Sequence, residues 1–147
     1  MIKKIAVLGS TGSIGKSLLK IIKKDKKNFS IKLLVAKKNH KELLKQAKLF
    51  NVKNVILTDK NYFELYKSKF KKEKINVYND YNCYQKVITK KLDYVMSSIV
   101  GLNGLLPTIG IIKYSKTIAI ANKESIICAW SLLKKRIKKI WNRIYTS

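Results

Sequence analysis

Eight residues near the start of the chain, Leu8-Gly9-Ser10-Thr11-Gly12-Ser13-Ile14-Gly15, restrict its fold more than any other stretch. They follow Ile5-Ala6-Val7-Leu8, an apolar run of strand length. They lead into Ile14, Leu18, Ile21 and Ile22, whose spacing predicts one face of a helix. Glycine at 9, 12 and 15 permits a tight turn and a close backbone approach, so the first N–H groups of that helix face whatever the turn encloses. Thr11 and Ser13 add hydroxyl donors at the same end. Strand, glycine turn and amphipathic helix together cradle a pyrophosphate, which points to dinucleotide binding through Gly9, Thr11, Gly12 and Ser13. The bland alternative is an ordinary glycine-rich βα turn.

The second strand is expected over 29–36, and its far end bears on which dinucleotide. An acid at that place holds a ribose 2′-hydroxyl, whereas a basic residue accommodates a 2′-phosphate. Here the strand runs into Lys37-Lys38-Asn39-His40, with cations and no acid, which favours NADPH. His40, the single histidine, reads as a solvated residue at a helix start. Leu43, Leu44, Ala47 and Phe50 suit a helix, 54–57 a strand, and 61–70 a helix with Phe63, Tyr66 and Phe70 in the core. Further on, 75–78 reads as a strand, 81–91 as a helix and 94–97 as a strand. Leu105, Leu106, Ile109 and Ile112 predict a buried helical stripe with Pro107 in its first turn, and 116–121 a further strand. Such alternation specifies an α/β fold, a Rossmann-like doubly wound parallel sheet with helices on both faces. Ile99-Val100-Gly101 and Asn122-Lys123-Glu124-Ser125 then fall at the carboxyl ends of strands, where open α/β sheets bind ligands. A polar helix cap at Asn122 is the alternative for the second group.

At 147 residues the chain is long enough for one domain with a real core. No run approaches the ~18 apolar residues of a membrane helix, and no leader is evident, so a cytoplasmic, non-membrane protein is expected. Cys83 and Cys128 lack metal-like spacing and are expected to be buried and inert. The net charge of +25 suggests nucleic acid, yet Arg136 and Arg143 are the only arginines. The lysines are scattered among abundant Ile, Asn and Tyr, all with A/T-rich codons, so the charge reflects genome composition and no nucleic-acid partner is expected. A basic nucleic-acid module, with salt-steep affinity, and a stand-alone NADP-binding oxidoreductase of other specificity are the rival readings.

Four blocks in this order resemble the 1-deoxy-D-xylulose 5-phosphate reductoisomerase family. They are Gly9 to Gly15, then Val35-Ala36-Lys37-Lys38-Asn39, then Ile99-Val100-Gly101 with Gly104-Leu105-Leu106-Pro107-Thr108, then Ala121-Asn122-Lys123-Glu124-Ser125. The resemblance covers residues 1–135, as the family's N-terminal NADPH-binding domain. It implies that Thr11, Gly12, Ser13 and Ile14 contact NADPH phosphates and ribose, and that Lys38 and Asn39 lie by the 2′-phosphate. It further implies that Asn122 and Glu124 hold the cofactor and that Lys123 binds the sugar-phosphate substrate. Lys37 departs from the small residue common there, and either adds a phosphate contact or crowds the adenosine pocket. The implied reaction is a metal-dependent carbon-skeleton rearrangement followed by hydride transfer from NADPH, giving 2-C-methyl-D-erythritol 4-phosphate for isoprenoid biosynthesis. The full-length family enzyme is expected to be a homodimer that uses magnesium or manganese, held by an Asp-Ser-Glu-His block and a later glutamate. Neither lies in this chain, which has no acidic residue after Glu124. No catalytic residue is therefore assigned within it.

Residues 136–147 hold both arginines and one of the two tryptophans, and read as an aberrant basic tail foreign to the family. Were 141–147 encoded by the synonymous codons TGG AAT AGA ATT TAT ACC AGT, reading one base later would give Gly-Ile-Glu-Phe-Ile-Pro-Val, the kind of segment that precedes Asp-Ser-Glu-His in the family. The tail is accordingly expected to follow a frameshift at the lysine codons of Lys138-Lys139. Sequencing the DNA beyond Ser147 is expected to reveal Asp-Ser-Glu-His codons in the alternate frame. Their absence there overturns the frameshift.

Overall fold

The computed structural model describes residues 1–140 and 143–146. Its strands are β1 (Lys3–Leu8), β2 (Phe29–Ala36), β3 (Asn54–Leu57), β4 (Asn76–Tyr78), β5 (Tyr94–Ser97), β6 (Thr117–Ile120) and β7 (Arg143–Thr146). All pair in parallel, in the order β4-β3-β2-β1-β5-β6-β7. The chain winds outward from β1 to β4, then returns across the sheet to place β5 on the free side of β1. β1 and β5 therefore flank a topological switch point. The helices are α1 (Ser13–Lys24), α2 (His40–Leu49), α3 (Lys60–Lys72), α4 (Tyr84–Val87), α5 (Leu105–Ile112) and α6 (Lys123–Ile140).

Strands covered on both faces need apolar residues at successive positions, and these have them. Ile5, Val7, Leu34, Ala36, Val55 and Leu57 join Leu19 and Ile22 of α1, Leu43 and Ala47 of α2 and Phe70 of α3 in one cluster. Ala6, Leu8, Leu33, Val35, Ile56, Val95, Ile118 and Ile120 join Tyr84 of α4 and Ile111 and Ile112 of α5 in the other. A register shift between Ile5 and Ala6 skips Lys32, pairing Ile5 with Ile31 and Ala6 with Leu33. That extra residue sends Ile31 to one face and Leu33 to the other, although their spacing alone assigns both to the same side. The sheet with helices on both faces is thus as the sequence predicts.

Four local expectations need correction. In α1 the buried residues are Gly15, Leu19 and Ile22, while Ile14 and Ile21 are 42% and 66% exposed. The helix presents the 15/19/22 line to the sheet, a rotation that its flanking apolar residues do not reveal. In α5 the buried line is Pro107, Thr108, Ile111 and Ile112, and Leu106 is exposed. This helix is apolar nearly all round, so periodicity does not phase it. The helix expected over 81–91 is a 3-10 turn at Tyr81–Cys83 followed by the short α4. Beyond it Ile88 and Leu92 are buried, and Leu92 exchanges backbone hydrogen bonds with Tyr114 and Lys116 at 2.8 Å, which draws the segment out toward β5. Phe63 and Tyr66 are only half-buried; Phe70 alone of that trio is in the core.

The change in composition at 135/136 leaves no break, because α6 runs through it and Arg143–Thr146 pair with β6. Cys83 is buried, and burial pushes its thiol up to about 11, as suits an inert role. The Cys128 side chain, Trp141, Asn142 and Ser147 lie outside the described residues. Among the described residues no helix is long and apolar enough to cross a membrane.

At the amino edge, Asp93 fastens three strands. It accepts from the Lys4 amide at 2.8 Å and from Lys116 Nζ at 2.7 Å. The hydrogen bond from Lys116, then that from Lys4, hold its carboxyl below the ordinary 3.8. A carboxyl depressed in the folded state stabilises fully above its unfolded value, and this is lost as pH falls through the folded one. Urea midpoints measured against pH should show wild type above Asp93→Asn near neutrality, with the gap closing below pH 3.8.

Candidate functional site

β1 delivers the chain to the glycine turn, where Gly9 takes φ +82°. Gly9 N and Ser10 N both donate to Val35 O at 2.9 Å, which ties the turn to the end of β2. A Cβ on Gly9 lies 2.8 Å from Ser98 O, against the end of β5. A Cβ on Gly15 lies 2.7 Å from Ser10 Cα, so the first turn of α1 packs on the loop only through glycine. Gly12 is the N-cap of α1 and brings no side-chain cap, leaving the first N–H groups of that helix available to an anion. Thr11 is half-buried, while Gly12, Ser13 and Ile14 are exposed at the mouth.

A side chain from α2 braces this turn. Gln46 Nε2 donates to Ser10 O at 3.0 Å and to Glu42 Oε1 at 3.2 Å. The Glu42 amide in turn donates to Asn39 Oδ1 at 3.2 Å. Because Asn39 caps α2 through its oxygen, its amide nitrogen remains a donor beside Lys37 and Lys38. Lys38 Nζ stands 3.7 Å from Asp59 Oδ2 and 5.8 Å from the centre of the Tyr62 ring. His40 corrects its expected solvated state. It is buried, and its ring stacks on Tyr66 with centroids 3.4 Å apart, so burial lowers its pKa. The partner comes from α3, beyond the reach of any local pattern.

The opposite wall comes from β5 and the loop after it. Ser98 Oγ donates to Leu8 O at 2.8 Å, binding that loop to β1. Ser97 Oγ and Thr108 Oγ1 lie 2.6 Å apart in the core beneath it. Asn122, between β6 and α6, is buried, and its Nδ2 donates to Ile99 O and Gly101 O at 2.6 Å each. Asn122 thus holds the loop in addition to standing at the start of a helix. Lys123 and Glu124 follow it, exposed on the first turn of α6.

Between these walls lies a cleft of about 540 Å³. Gly9, Thr11 and Gly12 line its floor; Val35, Ala36 and Lys37 one side; Ser98, Ile99, Val100 and Asn103 the other; and Thr58 and Tyr81 the far end. Ser13, Ile14, Lys38, Asn39, Asn122, Lys123 and Glu124 stand outside that lining, although β2, β1, β5 and β6 are parallel neighbours and bring all of them to one edge of the sheet. Thr58, Tyr81, Ser98 and Asn103 were not legible as site residues. Thr58 and Ser98 directly follow β3 and β5, so the carboxyl-end rule could have marked them, whereas Tyr81 carries no local signal. Among the described residues no three His, Cys, Asp or Glu side chains come together as candidate metal ligands.

Residues 5–130 match the sequence model of the 1-deoxy-D-xylulose 5-phosphate reductoisomerase family. The chain belongs to that family. It is 58% identical over 139 residues to the 1-deoxy-D-xylulose 5-phosphate reductoisomerase of Pelagibacter ubique (strain HTCC1062), covering 93% of this chain and 36% of that protein. It is 40% identical over 147 residues to the reductoisomerase of Buchnera aphidicola subsp. Schizaphis graminum (strain Sg), covering 97% of this chain and 37% of the relative. The chain therefore spans little more than a third of these relatives' length. Among solved structures, the Zymomonas mobilis reductoisomerase in complex with NADPH superposes with a TM-score of 0.89 at 28% identity, over 99% of this chain and 38% of that one. A reductoisomerase in complex with NADPH, fosmidomycin and magnesium gives 0.87 at 29% identity, over 99% and 36%. A hyperthermophilic archaeal homoserine dehydrogenase, at 0.63 and 14% identity, shares the fold.

The crowding at Gly15 makes a prediction. Gly15→Ala forces the loop to shift and should cost about 1–3 kcal/mol in urea denaturation. Gly110→Ala, whose added Cβ meets Tyr84 at an ordinary 3.5 Å inside α5, should be neutral or stabilising.

Proposed function

We propose that this chain is the NADPH-binding portion of a 1-deoxy-D-xylulose 5-phosphate reductoisomerase. One observation supports the reading above the others: the uncapped α1 terminus and the basic end of β2 open on a single cleft at the switch point. The absence of a Cβ at Gly9 and Gly12 leaves backbone at the cleft surface, where the pyrophosphate of NADPH can approach the N–H groups of α1. Lys38 and the amide nitrogen of Asn39 then meet the 2′-phosphate, with Lys37 as a further cation on the cleft wall. Asn122 holds the loop of Ile99 and Gly101 that forms the opposite wall, and Glu124 helps seat the cofactor's other half. Lys123, exposed on the first turn of α6, meets the phosphate of a sugar-phosphate substrate. NADPH, when bound, supplies the hydride; these residues orient it along the sheet edge.

The relatives' solved structures with NADPH and with fosmidomycin and magnesium lend the reading its chemistry. The Asp-Ser-Glu-His block and later glutamate that would hold a divalent metal in the whole enzyme belong to the part of the family this chain does not span. By itself the chain binds NADPH weakly and has no turnover. Titration followed by nucleotide fluorescence should show saturable NADPH binding and weaker NADH binding. Lys38→Ala and Asn39→Ala should each erode the preference about tenfold, the size of a lost hydrogen bond to a charged group. Absence of saturable NADPH binding overturns the cofactor assignment, and conversion of deoxyxylulose phosphate by this chain overturns the claim of inactivity.

A further inference from the structure

Tyr81 stands at the far end of the cleft with no role in anything described so far. It is not held loosely. Asn79, two residues before it, donates through Nδ2 to Leu57 O at 2.9 Å and to Thr58 O at 3.2 Å, pinning the segment to the end of β3. Asp80 caps the 3-10 turn by accepting from Asn82 N at 2.8 Å. The Tyr81 ring leans on Tyr84, with centroids 5.6 Å apart and planes at 51°, and Tyr84 is itself buried against Tyr114. The ring is therefore a preorganised wall. Its hydroxyl makes no hydrogen bond among the described residues, and burial pushes it up to about 12, so it stays a neutral donor at physiological pH.

We propose that Tyr81 is a purine-contacting residue, closing the adenine end of the cleft that Lys37 and Thr58 also line. The inference rests on the dinucleotide reading above. With the pyrophosphate over Gly9 and Gly12 and the ribose 2′ position toward Lys38 and Asn39, the purine lies on the carboxyl end of β2. The surfaces left to cover it are Ala36, Val100, Thr58 and Tyr81. Of these only Tyr81 offers an aromatic face and an unused O–H donor to the base nitrogens.

The test uses the full chain with three probes: NADPH, adenosine 2′,5′-bisphosphate and reduced nicotinamide mononucleotide. Stacking on one aromatic residue corresponds to about a 5- to 100-fold change in affinity on substitution by alanine. Tyr81→Ala should accordingly weaken NADPH and the bisphosphate to a similar degree and leave the mononucleotide unchanged, whereas Tyr81→Phe, which keeps the aromatic face and loses only the O–H, should weaken the first two by about 2- to 10-fold and leave the mononucleotide unchanged. A wild type that binds the bisphosphate as before while Tyr81→Ala binds it equally well overturns the role of Tyr81 and leaves the cofactor reading standing. A wild type that binds neither NADPH nor the bisphosphate overturns both. Equal weakening of the mononucleotide marks a structural effect and also overturns the proposal. Should Tyr81→Ala not fold, nuclear Overhauser contacts from adenine H2 and H8 to the Tyr81 ring in the wild type decide it: present they support the contact, absent they overturn it.

Discussion

Between β1 and α1 the main chain runs so close to the end of β5, and to the first turn of its own helix, that no side chain fits at Gly9 or Gly15 without displacing backbone. Each neighbour constrains a different part of the molecule. The contact with Ser98 fixes how β5 sits against β1, and with it the position of the switch point. The contact with Ser10 fixes how deeply α1 packs, and hence where its first N–H groups open. Gln46 adds a third restraint from α2, and Val35 O a fourth from β2. The turn is thereby held from four sides, which is the condition under which backbone donors can meet an anion without reorganising.

The lysines deserve to be read by position rather than by number. A net charge of +25 spreads over the whole surface and sets no site by itself. Lys38 differs from most of them in having an acid and an aromatic ring beside it, Asp59 and Tyr62, which restrict where its ammonium can go. Exposed ion pairs of this kind contribute little stability, ~0–1 kcal/mol. Their effect here is to orient a cation at the end of β2 next to the amide of Asn39.

How much of this was legible in the sequence depended on whether a residue's surroundings are local. β2, β3 and β5 have the bounds that their apolar runs imply, because a strand buried on both faces announces itself in composition. The glycine turn and its helix were equally readable, since spacing and flanks are local. Ile14 and Leu106 are exposed where periodicity buried them: in α1 the sheet selects the 15/19/22 line beside the expected face, and α5 is apolar on several faces, among which only the sheet chooses. His40 is buried by a ring that arrives from α3, and the wall at Tyr81 exists because Asn79 reaches back to Leu57 and Thr58. Tertiary partners of that kind leave no periodic trace. Asn122 was readable as a polar residue at the right edge, but its attachment to Ile99 and Gly101 was not.

The position of β1 between β2 and β5 also has a temporal meaning. Asp93 contacts Lys4 across 89 positions of sequence, so the central strand has one neighbour early in synthesis and waits for the other. A growing chain can assemble the wing from β1 to β4 with α1, α2 and α3 packed on it, since those pairings are short in sequence. The opposite side of β1 stays open until β5 emerges from the ribosome. Until then a half-built sheet presents a bare edge along β1, and a chain that has not yet released Ser97 from the ribosome is open there to pairing with the wrong strand.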